Sequence, residues 1–168
     1  MKISNIDVKT YKIPLPEPVK AYAAGIMKAF DLVICKINDD NGVEGVGYIT
    51  VHENQGLAIA QIIKSSFKSI LINKDPRLIE NLWHLMWKDV HYAGRGAPAS
   101  FAIAAVDVAL WDLKGKCLNA PLWSLLGGHN TDVLCYAGNI DLNFSKEKLL
   151  REASKCIDQG FKAIKMRL

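Results

Sequence analysis

A helix with a thin apolar face is the feature that most limits how this chain can fold. Its apolar positions recur at helical spacing and half of them are alanines: Ala102, Ala105, Val106, Ala109, Leu110 and Leu113. Positions at i, i+3, i+4 and i+7 lie on one face of an α-helix. Because alanine side chains are short, this face permits close packing of a neighbouring helix or sheet. We therefore predict a buried helix here.

The first fifty residues predict a three-stranded antiparallel meander. Ile3 to Ile13 is rich in β-branched residues and is predicted as a strand that stops at the prolines of positions 14, 16 and 18. Leu32 to Ile37 and Val43 to Thr50 are the next two strands, joined by the hairpin sequence Asn38-Asp39-Asp40-Asn41-Gly42. Pro14 to Ala29 is predicted as a loop, long enough to suggest a function.

Helices are predicted after the meander. Apolar residues recur at helical spacing between Ile59 and Ile70. Asp75 followed by Pro76 has the pattern of an N-cap and a first helical residue, with an apolar stripe behind it. The alanine-faced helix and a short turn from Pro121 to Gly128 complete this part of the chain.

A change of pattern near residue 130 marks a second domain. Val133 to Ala137 is predicted as a strand, Ser145 to Gln159 as a helix capped by Ser145 and closed by Gly160, and Phe161 to Leu168 as another strand. A βαβ unit is typical of a parallel sheet or barrel. We therefore predict an α+β domain over residues 1–130 and a second, incomplete domain over residues 131–168 that begins a parallel sheet or barrel.

Composition and charge exclude several classes of protein. Half of the residues are apolar, and the net charge of +4 comes from basic residues spread along the chain, so nucleic-acid binding is not expected. The four cysteines form no closely spaced pair that predicts a disulfide framework or a zinc site. No signal peptide or membrane span is predicted, and a cytoplasmic location is expected.

The last predicted strand carries two cations. Lys165 and Arg167 are two positions apart, so their side chains point to the same side of a strand. Leu168 follows at once as the last residue. From this arrangement we expect that the chain is the first part of a longer protein.

The helix pattern belongs to a longer motif, Ala102 to Gly127, that resembles the mandelate racemase and muconate lactonizing enzyme family of the enolase superfamily. The matching positions are Ala102, Ala104, Ala105, Val106, Asp107, Ala109, Asp112, Leu113, Gly115, Lys116, Pro121, Leu122, Leu125, Leu126 and Gly127. The resemblance implies that the meander and helices form a capping domain and that the βαβ part begins a modified (β/α)-barrel. Active sites of such barrels lie at the C-terminal ends of the strands.

The resemblance also implies roles for the two cations. In the mandelate racemase subgroup this strand carries Lys-x-Lys, in which the second lysine removes the proton next to the substrate carboxylate and the first lies near that carboxylate. Lys165 matches the first lysine, but Arg167 stands at the second position. Arginine stays protonated in proteins and is a poor base. The difference argues against two-base racemisation and leaves Arg167 to stabilise the enediolate or to hold a substrate oxygen.

Two cap-domain segments are further candidates for substrate binding. Pro14 to Ala29 resembles the mobile flap of the family, and the residues after the third predicted strand resemble its second cap-domain loop. The candidate contacts are Lys20, Tyr22, Ile26, Met27 and His52. The family chemistry uses Mg²⁺ held by acidic residues on later barrel strands. We therefore expect Mg²⁺ for the whole protein and no metal site in this chain, with Asp107 and Asp112 as surface or interdomain pairs.

The leading hypothesis is the N-terminal part of a Mg²⁺-dependent enzyme that abstracts the α-proton of a small carboxylate, with a sugar-acid dehydratase favoured. A racemase, epimerase or cycloisomerase of the same superfamily is the alternative. A hypothesis from another class is a non-catalytic capping and oligomerisation domain that associates with itself through an exposed strand edge. A third is that a separate chain completes the barrel. On its own, this chain is expected to be inactive, and a homo-oligomer is expected.

Overall fold

The computed structural model describes residues 1–21, 25–94, 96–140 and 144–166. Its strands are β1 (Ile3–Ala21), β2 (Gly25–Asp39), β3 (Glu44–His52), β4 (Ala137–Ile140) and β5 (Ile164–Met166). Its helices are α1 (Gly56–Ile62), α2 (Lys68–Leu71), α3 (Ile79–Asp89), α4 (Ala97–Cys117), α5 (Leu122–Leu125) and α6 (Lys146–Asp158), with a π-helical turn over Ile63–Phe67. The chain divides into a first unit, Met1–Pro14 with Ala29–Gly128, and a second unit, Leu15–Lys28 with His129–Leu168.

The first three strands form an antiparallel meander in the order β1-β2-β3, as predicted. The predicted end of the first strand is wrong, because β1 continues through its prolines to Ala21. Consequently Pro14 to Ala29 is not one loop, since β2 already begins at Gly25. Proline lacks the N–H that a central strand needs, but β1 is an edge strand and has a neighbour on one side only.

The β2–β3 hairpin forms where the sequence predicts it. Asn38 lies opposite Glu44 in the antiparallel register. Asp39 fixes the turn, because its carboxylate accepts the backbone N–H of Asn41 at 2.9 Å and of Val43 at 2.8 Å. The side chain of Asp39 is buried, and these bonds satisfy a carboxylate that is out of contact with water.

Helix α4 packs directly against β3, and its predicted burial is confirmed. A Cβ added to Gly47 would lie 2.1 Å from the carbonyl oxygen of Ala105 and 2.6 Å from the nitrogen of Ala109. One added to Gly45 would lie 2.2 Å from the carbonyl oxygen of Ala109. The two glycines therefore let the strand approach the helix backbone more closely than any side chain permits. The alanine face itself is no more than 1% exposed at Ala102, Ala105, Val106, Ala109, Leu110 and Leu113.

Charged residues tie the C-terminal half of α4 to the start of β3. The Asp112 carboxylate accepts the Val46 N–H at 2.7 Å and pairs with Lys116 at 2.7 Å. Lys116 also donates to the carbonyl oxygen of Glu44 at 2.8 Å. Asp112 therefore makes its pair inside the first unit rather than between domains. On the same helix Asp107 is half-buried, and this burial, with a smaller effect of Glu80, raises its pKa.

The predicted N-cap at Asp75 is wrong, since α3 begins only at Ile79. The Asp75 carboxylate is instead bound by Arg77, at 2.6 Å from the guanidinium and 2.9 Å from the backbone N–H. These hydrogen bonds lower the pKa of Asp75 to about 2. Leu78 donates its N–H to the carbonyl oxygen of Asp75 at 3.3 Å, so residues 75–78 form a turn that precedes the helix.

A buried carboxylate on β2 holds the loop that follows β3. Asp31 is 5% exposed and accepts the N–H of Gly56, the first residue of α1, at 2.9 Å. There is no room for a side chain on Gly56, because a Cβ would lie 2.8 Å from side-chain atoms of both Asp31 and Thr10. The contact fixes the start of α1 and with it the end of the loop that follows His52.

The second unit contains the predicted βαβ arrangement. Strand β4 pairs in parallel with β5, with Ala137 opposite Ile164, and α6 lies between them in sequence. The predicted N-cap is confirmed, because Ser145 accepts the N–H of Lys148 at 3.3 Å. Gly160 follows the helix with φ +90°, a left-handed conformation that favours glycine.

The predicted strand at residues 133–137 is wrong, because β4 begins only at Ala137. Val133 and Leu134 are 79% and 87% exposed. Their β-propensity has no effect without a neighbouring strand to pair with, since pairing and burial decide strand formation. None of the helices in the described ranges has an apolar stretch long enough to cross a bilayer.

We predict that Gly47→Ala destabilises the protein by roughly 3 kcal/mol, at the upper end of the usual cost of overpacking. The added Cβ meets backbone atoms of α4, which cannot rotate away as a side chain can. Urea unfolding measures the change. Gly96→Ala is the control, because no described atom lies within 4 Å of its Cβ and its φ is not positive; it should lower stability by no more than about 1 kcal/mol, the cost of a poorer N-cap residue on α4. Equal stability of the two variants would contradict the close approach.

We also predict that Asp31→Ala lowers the free energy of unfolding by about 2 kcal/mol, because it leaves the N–H of Gly56 without its acceptor. Asp31→Asn keeps an acceptor oxygen and should lose less than half as much. Urea unfolding compares the two variants, and hydrogen exchange of residues 52–56 reports the loop directly. An alanine variant as stable as the asparagine variant would show that the hydrogen bond does not hold the loop.

Candidate functional site

Lys165 lines a cavity whose described lining residues all belong to the second unit. The cavity has a volume of about 890 Å³ and is enclosed by residues 15–19 of β1, termed the flap arm, together with α6, β5 and the residues around β4. Its lining residues are Leu15, Pro16, Glu17, Pro18, Val19, Tyr136, Gly138, Phe144, Lys148, Glu152, Lys155, Lys165 and Met166. Both charged and apolar groups therefore line the cavity together with Lys165, which is itself exposed.

The cavity contains three lysines and two glutamates, and two of the lysines are paired. Lys148 forms an ion pair with Glu17 of the flap arm. Lys155 pairs with Glu152 at 2.8 Å, and this hydrogen bond is the main cause that lowers the pKa of Glu152. Within the described ranges, no residue forms a hydrogen bond or ion pair with Lys165. Of the three lysines in the described lining, Lys165 is thus the one whose ammonium is available to an anionic ligand.

Of the other predicted substrate contacts in the second unit, those within the described residues do not line this cavity. Lys20 is exposed near the end of β1, Ile26 is 67% exposed at the start of β2, and Met27 is half-buried beside it. Tyr22 and Arg167 lie outside the described residues. The structure therefore places one predicted site residue, Lys165, among the described cavity-lining residues.

His52 belongs to the first unit, where it is exposed at the end of β3. Its carbonyl oxygen accepts the N–H of Gln55 at 3.2 Å, which closes the turn after the strand. The neighbouring Glu53 is occupied by an ion pair with Lys12, and this contact raises the pKa of Lys12. The loop that follows His52 is thus held by the ion pair of Glu53 at its start and by Asp31 at its end, while the His52 side chain is exposed to solvent.

Sequence reasoning missed the charged residues that line the cavity together with Lys165. Lys148, Glu152 and Lys155 are spaced at i, i+4 and i+7 and lie on one face of α6, a pattern readable from the sequence. Glu17 lies between two prolines and gave no signal, because its partner is 131 positions away in the chain.

The described residues do not form a ligand set for a metal ion. Across residues 1–21, 25–94, 96–140 and 144–166, no three histidine, cysteine, aspartate or glutamate side chains are grouped closely enough to hold one. Asp31, Asp39 and Asp112 each accept backbone N–H groups.

Comparisons with known proteins identify relatives of this chain. A sequence model of the family described as mandelate racemase / muconate lactonizing enzyme, N-terminal domain, matches residues 5–127. A 3,6-anhydro-alpha-L-galactonate cycloisomerase from Streptomyces coelicolor is 40% identical over 166 residues, which cover 99% of this chain and 46% of that protein. This chain therefore spans a little under half the length of that relative.

Solved structures give the same result. A racemase from Streptomyces coelicolor A3(2) with bound magnesium has a TM-score of 0.95 at 40% identity, covering 99% of this chain and 46% of that chain. An L-talarate/galactarate dehydratase from Salmonella typhimurium LT2, liganded with Mg and L-lyxarohydroxamate, has a TM-score of 0.92 at 26% identity. The match covers 99% of this chain and 44% of the dehydratase chain. These likenesses confirm the predicted fold class. The chain belongs to the mandelate racemase/muconate lactonizing enzyme family of the enolase superfamily.

Proposed function

We propose that this chain is the N-terminal part of a Mg²⁺-dependent enzyme that removes the α-proton of a sugar-acid carboxylate, and that Lys165 binds this carboxylate. The observation that carries the proposal is the ammonium of Lys165, which has no described partner in a cavity whose other charges are paired. A free cation among neutralised neighbours attracts an anion. The dehydratase and the cycloisomerase among the relatives support sugar acids as the class of substrate.

Lys165 would contribute most when the α-proton leaves. The electron pair of the broken C–H bond moves onto the carboxylate, which becomes an enediolate with a second negative charge. A fixed ammonium beside these oxygens stabilises that charge more than the single charge of the substrate, and such preferential stabilisation lowers the barrier. We further propose that Arg167 holds an oxygen of the same group, because arginine stays protonated and cannot act as the base. Arg167 lies outside the described residues.

The proposed reaction continues by β-elimination. The electron pair forms the Cα–Cβ double bond while the Cβ–O bond breaks, and the leaving oxygen takes up a proton. Because the substrate carries a hydroxyl group on Cα, the product of this elimination is an enol. The enol then tautomerises to a 2-oxo acid. If the leaving oxygen is a free hydroxyl, water is lost and the enzyme is a dehydratase. If that oxygen belongs to an anhydro ring, the ring opens without loss of mass. The second outcome is favoured by the 40% identity with the cycloisomerase.

Mg²⁺ would supply further stabilisation of negative charge on the substrate oxygens. The described residues offer no ligand set for it. We therefore propose that the ligands of Mg²⁺ lie outside these residues, in a full-length protein as long as the relatives. In that protein, residues 1–130 would form the capping domain and residues 131–168 the first part of the barrel, with Lys20, Tyr22, Ile26, Met27 and His52 as substrate contacts.

We predict that the full-length protein with Mg²⁺ exchanges the α-hydrogen of at least one sugar acid in D₂O, and that Lys165→Met lowers kcat/KM for that acid by about 10²-fold. NMR of the substrate measures exchange, and mass spectrometry of the product separates the two outcomes by the loss or retention of water. The panel should include linear sugar acids and a 3,6-anhydro acid.

Lys162→Met is the matched control, because Lys162 is an exposed lysine just before β5 that does not line the cavity. It should retain kcat/KM within about threefold. Failure to exchange or convert any acid in the panel would refute the proposed function. Normal turnover in Lys165→Met would leave the enzyme class intact but remove Lys165 from the site.

A further inference from the structure

The flap arm is tied to α6 by one side-chain cluster, which consists of Glu17, Phe144 and Lys148. The Lys148 ammonium forms an ion pair with the Glu17 carboxylate and lies 3.9 Å from the centroid of the Phe144 ring. The Lys148 side chain is 26% exposed, whereas that of Lys155 on the same helix is 58% exposed. Lys148 is thus enclosed between an anion and an aromatic face, both of which attract a cation.

The amino acids of the flap arm explain why its contact with α6 can influence its position, although the arm also belongs to strand β1, which pairs with β2. Pro16 and Pro18 have no N–H to donate, so the arm can form fewer strand hydrogen bonds than an ordinary segment of equal length. Their rings also fix φ and stiffen the chain. A stiff segment with few backbone bonds changes direction as a whole, and its direction depends on where it is attached.

We propose that Glu17, Lys148 and Phe144 form a latch that holds the flap arm as one wall of the cavity around Lys165, so that Glu17 and Lys148 are positioning residues for substrate binding. Glu17, Lys148, Phe144 and Lys165 all line this cavity. The role in substrate binding rests on the function proposed above, but the latch itself does not. The pair also keeps Lys148 occupied, which leaves Lys165 as the cation that meets the substrate.

The latch is strong enough to bias the arm and weak enough to open. Glu17 is 65% exposed, and an ion pair at such a site shifts an equilibrium by up to about fivefold. An exposed cation–π contact contributes a similar factor. Salt screens an exposed pair, so high ionic strength should favour the open arm. Once Glu17 is removed, Lys148 can turn to Glu152, which lies four residues further along α6 and lines the same cavity.

Hydrogen exchange of the full-length protein tests the latch without any substrate. The arm contributes the N–H groups of Leu15, Glu17 and Val19, since Pro16 and Pro18 have none. We expect that Glu17→Gln and Lys148→Met each speed exchange of these amides by roughly fivefold, and that the double variant exchanges no faster than the faster single variant. Sodium chloride at 1 M should speed exchange in the parent protein but not in Glu17→Gln.

Two controls separate the latch from a general loss of charge. Asp158→Asn removes one negative charge from the end of α6 at an exposed position for which no described partner is found, and it should leave exchange of the arm unchanged. Lys148→Arg keeps both the charge and the cation–π contact and should resemble the parent. Unchanged exchange in Glu17→Gln, or additive effects in the double variant, would overturn the latch.

Kinetics then test the positioning role. Glu17→Gln should raise KM for the sugar acid severalfold with little change in kcat. The reason is that displacement of the cavity wall weakens the binding of the substrate and of the transition state equally. An unchanged KM in a variant whose arm exchanges faster would overturn the positioning role but keep the contact. If the parent acts on no acid, the proposed function and the positioning role fail together, and the exchange data still decide whether the latch exists.

Discussion

The fold of the first unit depends on backbone-to-backbone contact between β3 and α4. The strand has glycine at positions 45 and 47, and the helix carbonyls of Ala105 and Ala109 occupy the space where side chains would be. Asp112 and Lys116 then bind the first residues of β3 and fix where along the strand the helix lies. Because β3 pairs with β2 and β2 with β1, this contact determines which face of the meander is covered within the first unit.

The covered face of β2 shows how carboxylates can end an apolar row. Alternate residues from Ala29 to Asp39 are buried, and the two acidic members lie near the ends of that row. Asp31 accepts the first N–H of α1 and Asp39 accepts two N–H groups of its own turn. Burial removes the hydrogen bonds between each carboxylate and water, and hydrogen bonds from backbone N–H groups replace them. Both charges therefore serve to hold loops, which removes them from the set of candidate catalytic groups.

The features that the sequence predicts correctly are local, and those it misses depend on distant neighbours. The alanine face of α4, the turn at Asp39 and the Ser145 cap each follow from residues within a few positions of one another. By contrast, β1 continues through its prolines because it is an edge strand, and Val133 forms no strand because no described strand pairs with it. Lys165, which lines the candidate cavity, was named from the two-residue spacing of a strand and from the family resemblance, and its role stays a prediction. Glu17 was missed because its ion pair with Lys148 joins residues that are far apart in the chain.

A crystal structure of the full-length protein with Mg²⁺ and a hydroxamate analogue of its sugar acid tests the central claim most directly. The hydroxamate oxygens stand in for the enediolate oxygens, where negative charge is greatest. We predict that Lys165 Nζ lies within about 3 Å of one of these oxygens, as a charge-assisted hydrogen bond requires. An analogue bound beyond hydrogen-bond distance of Lys165, with that ammonium paired to a protein carboxylate instead, would contradict the account.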